Sequence, residues 1–126
     1  LQQAGLSPRD VGYCNAHGTA TRIGDAVERD ALAAVWGDAL DDLRVSSTKA
    51  LHGHLLGGAG ALEAVITVMA LREQQLPPNA HGDAVDPACA LNLVRDAGAQ
   101  ASQLRAAISS SFAFGGTNSV LLFTRA

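Results

Sequence analysis

The chain has 126 residues, of which 48% are hydrophobic and 17% are charged, and its formal net charge is −3 at pH 7. The length fits one domain with its own core, and a weakly acidic chain without basic runs lacks the charge pattern of a nucleic-acid-binding protein. Charged residues interrupt the longest apolar stretch, so no membrane span is expected, and two cysteines without CxxC spacing predict reduced thiols in a cytoplasmic protein.

The first elements of the chain alternate between strand and helix. Residues 1–5 are typical of the end of a helix, so we expect the chain to be part of a longer protein. Residues 11–16 (VGYCNA) form a short apolar strand, and a helical pattern begins at Gly24 and ends at Gly37. Residues 43–48 (LRVSST) are the second predicted strand.

The second half of the chain contains one long apolar helix and a final pair of strands. Residues 54–75 are apolar on nearly every side, which predicts a helix that is buried on most of its faces. A Pro-rich loop and a short extended piece at 91–94 lead to two strands, 105–112 and 117–126. Only AFGG separates these strands, which is too short for a crossover helix, so the pair should be antiparallel. We therefore predict an α/β fold with a mixed sheet, a buried helix and an antiparallel C-terminal strand pair.

A single carboxylate, Glu63, lies inside the apolar helix. A carboxylate in apolar surroundings must be paired or protonated, and Lys49, which follows the second strand, is the candidate partner. The alternative is that Glu63 lies at the edge of the helix and contacts water.

Two histidines follow predicted strands, and ligands gather at the carboxyl ends of strands in α/β sheets. His17 follows the first strand and His54 stands at the entry to the buried helix. Two neutral imidazoles can each donate one N–H to the same oxygen atom, which suits an enolate or a tetrahedral intermediate. A zinc site formed by His52, His54 and His17 is a competing interpretation, although no cysteine ligands and no HExxH motif accompany it. The histidines could also be surface residues without a function.

The segment SSSFAFGGTNS, residues 109–119, places two phenylalanines before a glycine pair. Glycines free the backbone to adopt unusual angles and let a substrate or a moving loop pass close by. The alternative is an ordinary hairpin turn with a buried aromatic residue.

Three motifs in this order, NAHGTATRIGD, SSTKALHGHLLGGAGALEA and SSSFAFGGTNS, resemble the C-terminal half of a β-ketoacyl-acyl carrier protein synthase, the condensing enzyme of fatty-acid and polyketide synthesis. The resemblance covers nearly all of residues 1–126 and implies a thiolase-like fold of two similar α/β halves with the active site between them. The nucleophilic cysteine would come from an N-terminal half that is absent here, so Cys14 and Cys89 would be spectators. Asn15 makes the first motif more similar to the discrete fatty-acid elongation enzymes than to modular polyketide synthases.

The resemblance also implies residue roles. His17 and His54 would bind the malonyl thioester carbonyl and stabilise the enolate, Lys49 would position His17, and Glu63 would pair with Lys49. The backbone N–H of Phe114 would complete the oxyanion hole, and its ring would gate the acyl pocket. The other implied residues are those of the gating loop and the hydroxyls that bind the pantetheine arm: Phe112, Gly115, Gly116, Thr19 and Thr21.

The implied activity is that of an acyltransferase whose substrates are carried on the phosphopantetheine of acyl carrier protein, with no cofactor and no metal. The full-length chains would form a homodimer or a heterodimer, and the present chain alone would be inactive and would expose apolar surface. Ala113 replaces the glycine that is usual between the two phenylalanines, and its methyl group could restrict the gating loop. Two alternatives stay open: a non-catalytic subunit resembling a chain-length factor, and a binding module for acyl carrier protein.

Overall fold

The computed structural model describes residues 1–81, 84–101 and 103–125. The strands in these residues are β1 (Val11–Asn15), β2 (Arg44–Ser46), β3 (Gln75–Leu76), β4 (Ala99–Gln100), β5 (Ala106–Ala113) and β6 (Thr117–Thr124). The α-helices in the same residues are α1 (Gly24–Trp36), α2 (Lys49–His52) and α3 (Ala59–Glu73).

Four of the strands form one mixed sheet in the order β2-β1-β5-β6. Strand β1 is parallel to both of its neighbours, β2 and β5, whereas β6 is antiparallel to β5. The predicted mixed sheet and the antiparallel C-terminal pair are confirmed. The sequence did not predict the small ribbon of β3 and β4, because strands of two residues are too short to show a pattern of alternation.

The sheet is covered on both faces, which explains why β1 is apolar at nearly every position. One core joins Val11 and Cys14 of β1 to Leu32 and Trp36 of α1. The second core joins Tyr13 to the C-terminal part of α3. A parallel strand that is buried on both sides is a continuous apolar run rather than an alternating one.

Helix α1 has the predicted limits. Leu32 and Trp36 lie one turn apart and face the core, as the helical period of the sequence indicates. The helix ends where Gly37 takes a positive φ of 52°, a conformation that glycine adopts without steric cost.

The predicted helix over 54–75 is shorter in the structure. Helix α3 begins only at Ala59, after a single turn of 3₁₀ helix at Leu56–Gly58. Lys49 lies in the short helix α2 rather than at a strand end. Gly53 ends α2 with a φ of 77°, so the chain bends between the two helices. The apolar pattern of the sequence continues through this bend. For that reason the sequence predicts a helix that begins too early.

The prediction that this helix is buried on most faces is wrong for this chain. Glu63, Thr67 and Ala70 are buried against the sheet, but Val65 is 60% exposed, and Val68 and Met69 are 43% and 44% exposed. Apolar composition indicates which surfaces prefer to be covered, but it does not identify the element that covers them. In the described part of the chain, no helix is long and apolar enough to span a membrane.

Candidate active site

The loop that follows β1 presents His17 and is held by a buried carboxylate of α1. Glu28 is only 4% exposed. Its two oxygen atoms accept the backbone N–H groups of His17 at 2.9 Å and of Gly18 at 2.8 Å. Burial raises the pKa of Glu28, and the two hydrogen bonds act in the opposite direction. The sequence analysis missed Glu28, although it lies four residues before Leu32 and therefore on the buried face of the helix.

The same loop lies against the end of β2 with no space between them. A Cβ atom built on Gly18 would lie 2.5 Å from Cβ of Ser47, which is closer than any real contact allows. Gly18 also has a positive φ of 34°. The Ser47 hydroxyl donates a hydrogen bond to the Gly18 carbonyl at 2.8 Å. Glycine is therefore required here for both space and conformation.

Lys49 and Glu63 form the buried ion pair that the sequence predicts. Nζ of Lys49 donates to Oε1 of Glu63, and the exposed fractions of the two side chains are 5% and 0%. The alternative in which Glu63 contacts water is wrong. A charge removed from water in this way needs its partner, because an isolated buried ion costs several kcal/mol or more.

His17 and His54 come together beside this pair. Their ring centroids are 5.5 Å apart and the rings are nearly perpendicular, at 86°. The Phe112 ring lies on the other side of His17, with its centroid 5.8 Å away. Residues from three separate motifs therefore meet at one place, at the carboxyl end of β1 and β5.

The hydrogen-bonding state of His54 is set by the backbone. Nδ1 of His54 accepts the N–H of Leu56 at 3.2 Å. In the neutral ring the proton is therefore on Nε2, where it can be donated to a ligand. Leu56 holds this bond in a left-handed conformation, with a φ of 50°, which is uncommon for a residue other than glycine.

His17 is disposed to be neutral at pH 7. Its partial burial lowers its pKa, and the positive charges of Lys49 and of a protonated His54 lower it further. A neutral imidazole has one N–H donor. The two rings can therefore supply two neutral donors to a single oxygen atom, which is the arrangement that stabilises an oxyanion.

His52 is occupied elsewhere, which argues against the zinc interpretation. Its Nδ1 donates to the Gly53 carbonyl at 2.7 Å, and its Nε2 lies 3.0 Å from the Thr48 hydroxyl. Neither ring nitrogen keeps a free lone pair for a metal ion. Across the described residues, no group of three or more His, Cys, Asp or Glu side chains could hold a metal ion.

The two threonines of the His17 loop are adjacent. The Thr19 and Thr21 hydroxyl oxygens are 3.3 Å apart, and that of Thr21 also accepts the Gly24 N–H at the start of α1. Thr21 thus supports a helix end, which is the common use of a loop threonine. A hydroxyl group can form more than one hydrogen bond, so each threonine can still bind a polar ligand arm.

The turn between β5 and β6 exposes Phe114 completely. Gly115 and Gly116 follow it with φ angles of 75° and 78°, and a Cβ atom on either would meet nothing within 4 Å. Ala113 is extended, with φ −136° and ψ 166°, and its methyl group causes no backbone strain. The structure therefore brings Phe112 to the histidines but leaves Phe114 away from the protein interior.

Neither cysteine has the properties of a nucleophile. Cys14 is completely buried, and burial raises the pKa of its thiol to about 12. Its sulfur lies 3.7 Å from the Ser110 hydroxyl, at the limit of a weak hydrogen bond. The pKa of Cys89 is also raised. Because the thiolate is the reactive form, Cys14 is unreactive at neutral pH, and the raised pKa of Cys89 also disfavours its thiolate.

Comparison with known proteins points to one family. Residues 1–83 match the family described as "Beta-ketoacyl synthase, C-terminal domain". The chain is 42% identical over 123 residues to 3-oxoacyl-[acyl-carrier-protein] synthase 2 of Staphylococcus aureus, covering 98% of this chain and 30% of the relative. It therefore spans about 30% of the length of the curated relatives it matches.

Solved structures share the fold. A β-ketoacyl synthase from Burkholderia phymatum STM815 superimposes with a TM-score of 0.92 at 38% identity, over 100% of this chain and 30% of that one. The ketosynthase AntDE, solved with its type II polyketide acyl carrier protein AntF, gives a TM-score of 0.93 at 29% identity, over 100% of this chain and 31% of that one. The thiolase-like α/β fold is thus confirmed, and the chain belongs to the β-ketoacyl synthase C-terminal domain family.

Proposed function

We propose that this chain is the C-terminal part of a ketosynthase that condenses malonyl-acyl carrier protein with an enzyme-bound acyl thioester. The observation that carries the proposal is the meeting of His17 and His54, 5.5 Å apart, beside the buried Lys49–Glu63 pair. The nucleophilic cysteine is assigned to an upstream half, because Cys14 is buried with a raised pKa and the pKa of Cys89 is raised as well. Residues 1–126 would then form the C-terminal domain of a longer enzyme.

The first role of the two histidines concerns decarboxylation. When malonyl thioester loses CO₂, the electron pair of the broken C–C bond delocalises onto the thioester oxygen as an enolate. Nε2–H of His54 and one N–H of His17 would donate to that oxygen as its charge develops. Two pre-organised donors in a site closed to water lower the barrier by several kcal/mol in comparable enzymes.

The condensation step uses the same geometry. The enolate carbon attacks the acyl carbonyl, a new C–C bond forms, and the cysteine thiolate of the upstream half leaves. The backbone N–H of Phe114 would support the oxyanion of that tetrahedral intermediate together with an N–H of the upstream half. Gly115 and Gly116, with their positive φ angles, allow the exposed Phe114 turn to move between an open and a closed position.

Lys49 would act through its charge and its position. Burial is the main cause of the lowered pKa of His17, and the ammonium group of Lys49 lowers it further, which favours the neutral ring. Glu63 compensates the Lys49 charge and fixes the lysine under the site. The hydroxyls of Thr19 and Thr21 would bind the amides of the pantetheine arm, which delivers the substrate without any further cofactor.

The proposed partners follow from this chemistry. The substrates would arrive on acyl carrier protein in the cytoplasm, as in the AntDE complex, in which a ketosynthase is bound to its carrier protein. Full-length chains would assemble as a homodimer or heterodimer. A subunit resembling a chain-length factor would not need His17, Lys49 and His54 to converge as they do here.

The test uses the full-length enzyme, meaning this chain joined to its proposed upstream half. After incubation with acyl-acyl carrier protein, mass spectrometry should find an acyl adduct on an upstream cysteine and none on Cys14 or Cys89. Malonyl decarboxylation should then fall by at least about 100-fold in His17→Ala and in His54→Ala, since removal of one oxyanion donor costs about that much.

A matched control is His81→Ala, which changes an exposed histidine outside the site and should leave both steps intact. An adduct on Cys14 or Cys89 would overturn the proposed mechanism. A full-length chain that forms no adduct and does not decarboxylate malonyl thioester would instead be a non-catalytic subunit or a carrier-binding module.

A further inference from the structure

The backbone of His17 and Gly18 is held from two directions. Its N–H side is held by Glu28, which accepts from both residues. On the carbonyl side, the Ser47 hydroxyl donates to the Gly18 oxygen at 2.8 Å. The backbone of His17 is therefore fixed by side chains of two elements that are distant in sequence, α1 and the segment after β2.

The His17 loop packs against the end of β2 on one side and borders a cavity on another. A cavity of about 380 Å³ lies behind it, and its lining includes Gly18, Glu28, Ser47 and Asn79. A backbone segment next to a cavity lacks neighbouring atoms on that side, so dispersion contacts cannot define its position there. On the cavity side, hydrogen bonds fix the backbone that carries His17, while the ring itself packs between His54 and Phe112.

Ser47 is itself oriented by Asn79. The Ser47 N–H donates to Oδ1 of Asn79 at 3.0 Å. The Asn79 N–H donates to the carbonyl of Val94 at 2.7 Å, and the Val94 N–H donates to that of Val45 at 2.9 Å. Val94 is fully buried beside β2. Asn79 is thus hydrogen-bonded to a residue beside the sheet, and its side chain in turn fixes the backbone of Ser47.

We propose that Ser47 and Asn79 are positioning residues for His17, forming with Glu28 a clamp that fixes the angle at which its ring meets the malonyl thioester. The inference rests on the proposed function, because it assigns these residues to the decarboxylation step. Neither residue touches the His17 ring. Their effect passes through the Gly18 carbonyl and the backbone that carries His17.

The proposed clamp predicts different effects on the rates of the two half-reactions, acylation of the upstream cysteine and malonyl decarboxylation. Acyl transfer to the upstream cysteine does not use the His17 donor in the proposed mechanism, whereas decarboxylation does. Ser47→Ala and Asn79→Ala in the full-length enzyme should therefore slow malonyl decarboxylation by about 10-fold or more, since small displacements of a catalytic group cost rate steeply. The rate of acylation should stay within about 2-fold of the parent enzyme, because the donor that is displaced takes no part in that step.

Two further variants separate positioning from general damage. Asn79→Asp keeps the oxygen that accepts the Ser47 N–H and should recover most of the decarboxylation rate. Asn92→Ala removes an asparagine whose Nδ2 donates to the Asp41 carbonyl, at 2.7 Å, and should leave both rates unchanged.

Three results would overturn the inference. The first is decarboxylation at the parent rate in both Ser47→Ala and Asn79→Ala. The second is an equal loss of acylation and decarboxylation, which would indicate structural damage alone. The third is a decrease in Asn92→Ala as large as that in Asn79→Ala. The proposed function fails separately, if the parent enzyme itself does not decarboxylate malonyl thioester or if His17→Ala has no effect.

Discussion

Glu63 and Lys49 form a buried ion pair between α3 and α2, and this pair lies in the immediate surroundings of His17. No part of the Glu63 side chain is exposed, so its carboxylate cannot replace Lys49 by bulk water as a partner. The pair therefore acts both on the stability of the domain and on the charge state of the candidate site.

Removing one partner of this pair should lower the free energy of unfolding strongly, and removing both charges should lower it much less. In the full-length enzyme, Lys49→Met leaves the Glu63 carboxylate buried without a partner and should lower the free energy of unfolding by about 3–5 kcal/mol. Lys49→Met with Glu63→Gln should recover most of that loss. Urea denaturation of the single and double variants measures both effects.

The exposed pair of Arg72 and Glu73 is the matched control, with 75% and 52% of the side-chain surface exposed. Arg72→Met should change the free energy of unfolding by less than about 1 kcal/mol. A double variant as unstable as Lys49→Met alone would mean that the ion pair is not the origin of the effect.

The neutral state of His17 predicts a pH dependence. Because its pKa in the folded protein is lowered, decarboxylation should be constant near pH 7 and fall as the pH drops through the lowered pKa of His17, below 6.5. The pH dependence of folding stability has the same sign. The contribution of His17 to stability is complete above its pKa in the unfolded chain and is lost as the pH falls through its pKa in the folded protein.

Removal of Lys49 tests the cause of this shift. Burial is the larger cause and the Lys49 charge is the second, so the acid limb of the rate profile should move to higher pH in the Lys49→Met, Glu63→Gln variant. The pH profile of malonyl decarboxylation for the parent and the double variant provides the measurement. An acid limb that does not move would show that the charges of Lys49 and Glu63 together have no net influence on the pKa of His17.

Glu28 should be sensitive even to an isosteric change. Glu28→Gln keeps one oxygen acceptor but turns an NH₂ group toward the second backbone N–H, which then loses its partner. A buried donor without an acceptor costs about 1–3 kcal/mol, so the melting temperature should fall together with the decarboxylation rate. Glu73→Gln, at an exposed position, should change neither quantity, and equal behaviour of the two variants would contradict the role of Glu28.

The exposed apolar face of α3 predicts that the isolated chain associates or aggregates. Val65, Val68 and Met69 expose about half of their surface, and the Phe114 ring is fully exposed. Apolar patches of this kind normally contact a partner surface. The isolated chain should associate or aggregate in size-exclusion chromatography with light scattering, and a folded, monodisperse monomer of 12.9 kDa would refute this expectation.

Sequence patterns predicted the elements whose signals are local. Helix α1 has clear periodicity and a terminal glycine, and the AFGG turn identified the antiparallel β5–β6 pair. The Lys49–Glu63 pair was also predictable, because a single acid in an apolar helix requires a partner.

The features that the sequence did not predict depend on tertiary contacts. The break before Ala59 follows from how α2 and α3 meet the sheet, not from a loss of apolar pattern. The hydrogen bonds of Ser47 and Asn79 join positions 32 residues apart, and neither residue differs from an ordinary loop residue in the sequence. Glu28 is an intermediate case, since its place on the apolar face of α1 indicates a buried carboxylate, whereas its backbone partners depend on the fold.

The position of β1 in the sheet has a consequence for biosynthesis. Strand β1 lies between β2 and β5, yet β5 follows it by most of the length of the chain. During translation β1 emerges before β5 and gains this second neighbour only when β5 has left the ribosome, and such long-range parallel pairing is slow to form. The His17 loop continues directly from β1, so we expect it to become ordered only after β5 has been synthesised. A nascent chain that lacks β5 should therefore show little amide protection in β1 when hydrogen exchange is measured.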